Sequence, residues 1–187
     1  GGGGTPVGRD GCGPNAGAPR PRLALQGALE DQGFEVASGS GIHLWASFNG
    51  QQLYVATEAA ARGEDVFLVV SDDTGRTAAA PFGKAGTVPT SGIFLADEGE
   101  NDFTRWFGIT GEGVAATEPL PGRGVLEGTL NLVEEFGEVP PVIHVAAVRY
   151  GGGDGAGIVA QAPAGNGNDL VEAGEMFALD TAVPALL

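Results

Sequence analysis

Positive charge is scarce in this sequence, and its scarcity argues against two classes of partner. Lysine and arginine number nine against 24 aspartate and glutamate residues, for a formal net charge of −15. Nine cations are too few to follow a run of phosphates, so we expect no nucleic-acid partner and no attraction to an anionic membrane surface. Because surface carboxylates favour solubility, we expect a secreted protein, located outside the cell or on its surface.

Cysteine and long apolar runs are nearly absent as well. Cys12 is the single cysteine, so no disulfide can form within one chain. Two interpretations of Cys12 stay open: a free thiol in a glycine-rich tail, or a bridge between two chains. No stretch approaches the roughly 20 apolar residues that a membrane-spanning helix needs, so we expect no membrane span.

Motifs of catalysis are also missing. The two histidines, His43 and His144, lie inside predicted strands and have no partner motif such as H-E-x-x-H. There is no G-x-S-x-G elbow and no phosphate-binding loop. The acidic clusters fall in predicted turns, where solvated carboxylates are common. We therefore expect no catalytic residues and no enzyme activity.

What the sequence does contain favours short strands joined by turns. Glycine accounts for 34 residues and proline for 12, while 42% of the chain is hydrophobic, so a core can form although long helices are disfavoured. Apolar or alternating segments recur along the chain, at 23–27, 42–57, 66–70, 92–97, 103–110, 125–136, 142–150, 157–163 and 174–180. This spacing predicts an all-β antiparallel β-sandwich, jelly-roll-like, over residues 23–187.

Residues 1–22 differ from the rest in composition. Their sequence, GGGGTPVGRDGCGPNAGAPRPR, cannot bury apolar surface by itself. We interpret this segment as an extended N-terminal arm that packs on a neighbouring subunit, because strand addition needs backbone groups rather than large side chains. A contact of that kind that does not close on itself would produce a polymer.

The strongest local signal is a predicted hairpin over 42–57, IHLWASFNGQQLYVAT. Asn49-Gly50 between alternating apolar residues predicts a two-residue turn. Folding the segment there places Ala46 opposite Leu53 on a core face and Trp45 opposite Tyr54 on the other face. Since Val66–Val70 is continuously apolar, we expect that strand to be covered on both faces.

Four segments resemble, in order, the opening motif, a hairpin, a strand and a late pair of strands of a known group of β-sandwich domains. They are ALEDQGFEVA (28–37), LWASFNGQQLYVATEA (44–59), EDVFLVVSDD (64–73) and VLEGTLNLVEEFGEVPPVIHVAAVRY (125–150). The chain thereby resembles the DOMON-like superfamily, which includes the family 9 carbohydrate-binding modules. The resemblance implies a β-sandwich that binds ligands, often sugars, and carries out no chemistry itself.

Four residues are candidates for contact with a glycan or with another subunit. Trp45, Tyr54 and Gln52 share the predicted non-core face of the hairpin, and Trp106 shares a face with Thr104. An exposed aromatic ring can stack on a sugar, and side-chain amides can bind its hydroxyls. The same rings could instead fill space under a loop or at a subunit interface, and these alternatives stay open here.

Two acidic loops are candidates for a structural calcium ion, the one cofactor we consider. Calcium binds six to eight oxygen ligands, and neither loop has the spacing of an EF-hand. The first loop offers Asp97, Glu98, Glu100, Asn101 and Asp102, and the second offers Asn166, Asn168, Asp169 and Glu172. A solvated acidic loop is the alternative in both cases.

These observations lead to two functional hypotheses. The first is a non-catalytic secreted protein that self-assembles into an extracellular polymer or surface layer through its N-terminal arm. The second is a carbohydrate-binding module of a secreted glycoside hydrolase, with a polysaccharide as its partner.

Overall fold

A computed structural model describes residues 34–108 and 124–182 of the chain. The predicted arm, the predicted strand at 23–27 and Cys12 lie outside these residues. In the described part, no helix is long and apolar enough to cross a membrane. The elements there are β1 Phe34–Gly39, β2 Ile42–Phe48, β3 Gln52–Glu58, β4 Glu64–Ser71, β5 Thr77–Ala79, β6 Thr87–Pro89, β7 Ile93–Glu98, β8 Phe103–Phe107, β9 Val125–Asn131, α1 Leu132–Phe136, β10 Val142–Gly151, β11 Ile158–Ala162 and β12 Phe177–Asp180.

The strands form two packed sheets and one small hairpin. The four-stranded sheet has the order β1-β2-β3-β9, and the larger sheet has the order β11-β10-β4-β7-β8, with β12 also paired to β10. Strands β5 and β6 pair only with each other. Every strand pair is antiparallel. The prediction of an all-β antiparallel sandwich is therefore confirmed.

The main core lies between the two sheets. Alternate side chains of each strand point inward, as the two-residue period of a strand requires. The largest fully buried contributors include Ile42, Leu44, Phe48, Leu53, Leu68, Ile93, Leu95, Leu126 and Leu130. Burying this apolar surface is the dominant favourable term in folding.

The larger sheet is also covered on its outer side. Residues Val66–Val70 of β4 are all fully buried, as the continuous apolar run predicts. The covering segment includes Phe82, whose ring lies 5.3 Å from that of Phe67 and 5.4 Å from that of Phe107, centroid to centroid. Both contacts are edge-to-face, a favourable geometry for aromatic pairs. The outer side of the larger sheet is therefore apolar and covered, whereas the outer side of the four-stranded sheet is polar.

A buried ion pair fastens the covering segment to the sheet. Lys84 Nζ lies 2.6 Å from Asp65 Oδ2, and their side chains are 1% and 6% exposed. Lys84 also donates a hydrogen bond to the carbonyl oxygen of Gly153, at 3.0 Å. Because each buried charge depends on its partner, the pair ties β4, the covering segment and the loop after β10 into one unit.

The β2–β3 hairpin differs from its predicted register. The connecting loop has three residues, Asn49–Gln51, and the Asn49 side chain accepts hydrogen bonds from the backbone N–H groups of Gln51 and Gln52. Trp45 therefore lies opposite Ala56, so the prediction that it faces Tyr54 directly is wrong. The register differs by two residues, an even number, and the core face is consequently the one predicted.

The predicted strand over 125–136 is also too long. It ends at Asn131, where the backbone turns into the short helix α1. The Asn131 side chain accepts hydrogen bonds from the N–H groups of Val133 and Glu134, which is the usual role of asparagine at a helix N-terminus. Gly137 ends the helix in the left-handed conformation, with a φ of 81°.

Removing one member of the buried ion pair should destabilise the fold strongly. We expect Lys84→Met to lower the free energy of unfolding by about 3–5 kcal/mol, because Asp65 would keep a buried charge without its partner. The double variant Lys84→Met/Asp65→Leu should recover much of that loss. Urea denaturation measures both, with Arg62→Met as the control, since the Arg62 side chain is 89% exposed. Equal stability of Lys84→Met and the control would contradict this account.

Candidate functional site

The outer face of the four-stranded sheet concentrates polar groups. Its side chains alternate with those of the core, so they point away from the larger sheet. They are Glu35 and Ser38 of β1, His43, Trp45 and Ser47 of β2, Gln52, Tyr54, Ala56 and Glu58 of β3, and Glu127, Thr129 and Asn131 of β9. The four strands contain no lysine or arginine. This face is therefore acidic and rich in hydrogen-bonding groups.

One part of this face is closed to solvent. Tyr54, Ala56, Glu127 and Thr129 are fully buried, and the Tyr54 hydroxyl donates a hydrogen bond to Glu127 Oε2 at 2.7 Å. Burial raises the pKa of Tyr54 well above its ordinary value, and the bond to Glu127 adds to the shift. Among the alternatives left open for Tyr54, the structure favours packing, because its ring and hydroxyl are inaccessible.

The other part of the face is open, and Trp45 lies in it. The Trp45 ring is partly exposed and packs against the buried pair Tyr54 and Ala56. Glu35 of the edge strand β1 lies directly opposite it, and the His43 ring centroid is 5.5 Å from that of Trp45. We define the Trp45 surface as Glu35, Ser38, His43, Trp45 and Glu58.

His43 and Glu58 hold each other in place on the Trp45 surface. The His43 backbone N–H donates to Glu58 Oε2 at 2.9 Å, and the ring Nδ1 contacts Glu58 Oε1. The bond to Glu58 raises the pKa of His43. Burial pushes the pKa of Glu58 upward, but the two hydrogen bonds from His43 outweigh burial, and the pKa is lowered overall. The His43 and Glu58 side chains thus hold each other by hydrogen bonds and lie, partly exposed, at the edge of the Trp45 surface.

Gln52 lies on the same outer face but away from Trp45. It pairs with Asn131 at the hairpin end of β3, whereas Trp45 lies opposite Ala56. Four residues of strand separate Gln52 from Ala56, a distance of about 13 Å. Gln52 and Trp45 share the outer face, as predicted, but they lie at opposite ends of the hairpin.

Trp106 belongs to the core rather than to a binding face. Its side chain is in the cluster between the two sheets, and the residue is 7% exposed. A Cβ at Gly128 would lie 2.7 Å from Trp106 Nε1, so the ring occupies the space that this glycine leaves on β9. Among the alternatives left open for Trp106, the structure favours packing, because β8 directs this side chain into the core.

The first predicted calcium loop does not bring its carboxylates together as ligands. Asp97 is buried, and its two oxygens accept hydrogen bonds from the Ala60 N–H and the Thr104 hydroxyl. Glu98 accepts from the Asn101 amide at 2.9 Å. Glu100 and Asp102 complete the predicted set. Glu100 pairs with Arg62 at 3.7 Å, and Asp102 has a φ of 50°.

The second predicted loop is closed by its own hydrogen bonds. The amides of Asn166 and Asn168 donate to Glu172 at 2.8 and 3.4 Å, and Asp169 has a left-handed φ of 60°. Glu175, on the following turn, accepts from the backbone N–H of Asn166 at 2.7 Å. Over residues 34–108 and 124–182, no group of three or more His, Cys, Asp or Glu side chains is placed to hold a metal ion. The described residues therefore offer no site that supports the calcium hypothesis.

Three residues of the site were not singled out from the sequence. Glu35, His43 and Glu58 lie near Trp45 because β1 pairs with β2 and because Glu58, at the end of β3, hydrogen bonds to His43. The alternation of Glu127 with Leu126 and Leu130 could have indicated a polar outer face. Nothing local indicates that Glu127 binds Tyr54, 73 residues away.

Comparison with models of protein families finds no match, and searches among curated proteins and among solved structures find no significantly similar chain.

The buried hydrogen bond of Tyr54 can be tested against a matched tyrosine. We expect Tyr54→Phe to lower the free energy of unfolding by about 1–2 kcal/mol, because it removes a hydrogen bond inside the protein. Tyr150 is equally buried, but its hydroxyl has no hydrogen-bond partner among the described residues. Tyr150→Phe should therefore cause no loss. A larger loss for Tyr150→Phe than for Tyr54→Phe in urea denaturation would refute this interpretation.

The His43–Glu58 pair should make stability depend on pH. The raised pKa of His43 stabilises the fold fully below its ordinary value of 6.5, and this contribution is lost as pH rises through the raised value. The lowered pKa of Glu58 stabilises the fold above 4.5, and this contribution is lost as pH falls through the lowered value.

The difference in unfolding free energy between the native chain and Glu58→Gln should therefore be largest between pH 4.5 and 6.5. Urea denaturation across a pH series measures it. Glu138→Gln, a change at an exposed glutamate, is the control. A difference that stays constant with pH would contradict the role given to this pair.

Proposed function

We propose that this protein is a non-catalytic extracellular binding domain that recognises a polysaccharide on the Trp45 surface. The observation that carries the proposal is the partly exposed Trp45 side chain, which packs against Tyr54 and Ala56 on the neighbouring strand. An aromatic ring in this position offers an apolar surface on which the C–H face of a sugar can stack. The resemblance to carbohydrate-binding modules agrees with this choice of ligand.

The groups around the ring suit the hydroxyls of a sugar. Ser38 is exposed, and the side chains of His43 and Glu58 are 42% and 30% exposed. Carboxylate oxygens accept hydrogen bonds from hydroxyls, while the serine hydroxyl can donate or accept. A few placed polar groups beside an apolar surface are the usual composition of a small-molecule site.

Loss of the ring should abolish binding. We expect the native protein to be retarded in a native gel that contains its polysaccharide, and Trp45→Ala to migrate as in a gel without it. Val159→Ala is the control, because it removes another exposed apolar side chain, 57% exposed, on β11. Denaturation midpoints establish that each variant is folded. Equal retardation of folded Trp45→Ala and native protein would refute the proposal.

Self-assembly is a second candidate, and one observation favours it. Phe34 begins the edge strand β1 and is 52% exposed, and among the described strands β1 pairs only with β2. An edge strand with an exposed apolar side chain can accept another strand. The bulge between Glu35 and Ala37 acts against this, since bulges interrupt regular pairing.

Light scattering of the full chain and of a chain lacking residues 1–22 decides between these candidates. A polymeric full chain and a folded monomeric shorter chain would support assembly through the arm. Two monomers would contradict assembly and leave the binding proposal in place.

A further inference from the structure

We infer that the polysaccharide recognised by the Trp45 surface is cationic, built of amino sugars whose free amines are protonated. The inference rests on the proposed function and adds the chemical class of the ligand. It follows from where charge lies around Trp45.

The four strands of the smaller sheet are acidic in composition. They contain three glutamates, Glu35, Glu58 and Glu127, and no lysine or arginine. Glu127 is fully buried, so Glu35 and Glu58 are the carboxylates that a ligand can approach. Residues directly opposite on neighbouring strands have Cβ atoms about 5 Å apart, so the exposed Glu35 carboxylate can reach the rim of the Trp45 ring.

The lysine and arginine side chains of the described residues are engaged away from Trp45. Four of the five are engaged with carboxylates: Arg62 with Glu100, Arg76 with Asp73, Lys84 with Asp65 and Arg149 with Glu64. The fifth, Arg105, lies over the Phe107 ring on β8, in the other sheet. His43 is the one basic group on the Trp45 surface, and Glu58 pairs with it. Among these residues, His43 is therefore the one cation that competes with an ammonium group for Glu35, and Glu58 offsets the charge of His43.

The Trp45 ring can itself attract a cation. A cation within about 6 Å of a tryptophan ring is attracted by the negative face of its π system, more strongly than by tyrosine or phenylalanine. A protonated amino sugar can satisfy ring and carboxylate together, because its C–H face stacks while its ammonium group binds Glu35. An acidic polysaccharide would be repelled by both carboxylates and by the net charge of −15.

The test compares oligosaccharides of equal length whose sugars carry either a protonated amine or a neutral acetamide. Titration calorimetry uses a glucosamine oligomer and its fully N-acetylated counterpart of equal length, below the pKa of the amine. An ionic strength of about 0.15 M limits long-range attraction. We expect the glucosamine oligomer to bind at least about tenfold more tightly. Glu35→Gln should reduce this preference about fivefold, whereas the exposed control Glu138→Gln, which removes the same charge, should leave it unchanged.

Each remaining outcome overturns a defined part of the account. If the N-acetylated oligomer binds equally well and Trp45→Ala abolishes its binding, the inference fails and the proposed function stands. If Glu35→Gln and Glu138→Gln weaken binding equally, the oligomer is attracted by the net negative charge of the protein and not by contact with Glu35. The inference then fails. If oligolysine of the same charge binds as tightly and depends on Trp45, the ligand is a basic peptide and the inference fails. If neither oligosaccharide binds, the inference fails, and gel retardation of the native protein and Trp45→Ala by other polysaccharides decides the proposed function.

Discussion

The packing of the two sheets against each other is the constraint on which the rest of the structure depends. Each strand directs alternate side chains to opposite faces. Because Leu44, Phe48 and Leu53 point into the core, the residues next to them in the sequence point to the outer face. Trp45 and Tyr54 must then lie on the outer side. The polar face is thus a direct consequence of how the apolar face is buried.

The two sheets use their outer faces differently. The larger sheet is covered by an apolar layer that includes Phe82, and the Lys84–Asp65 pair fastens that layer in place. The four-stranded sheet instead buries the Tyr54–Glu127 hydrogen bond and leaves Trp45 partly open beside it. The buried residues Tyr54 and Ala56 lie beside the Trp45 ring and pack against it.

The sequence predicts the fold class and the core face well, because both depend on alternation within single strands. The register of the hairpin was missed, since the Asn49 side chain stabilises a three-residue loop rather than a two-residue turn. The end of β9 was missed because Asn131 acts as a helix cap, which depends on its side-chain geometry. β1 and the β5–β6 hairpin carry weak apolar patterns and were not predicted as strands.

The candidate site was predictable only in part. Trp45 is on the predicted face, but alternation cannot tell which side of β8 faces the core, and Trp106 proved to be inward. The partners of Trp45 come from strand pairing between segments that sequence patterns do not connect, as Glu35 illustrates. Burial of Tyr54 likewise depends on Glu127, which is distant in the sequence.

Recognition of a polysaccharide by Trp45 is the central claim, and the fluorescence of a single tryptophan tests it most directly. Trp45 and Trp106 are the two tryptophans of the chain, so Trp106→Phe leaves Trp45 as the sole reporter. Cationic, neutral and acidic polysaccharides would each be added to this folded variant. The account predicts a saturable change in Trp45 emission with the cationic polymer. Emission that stays constant with every polysaccharide would contradict it.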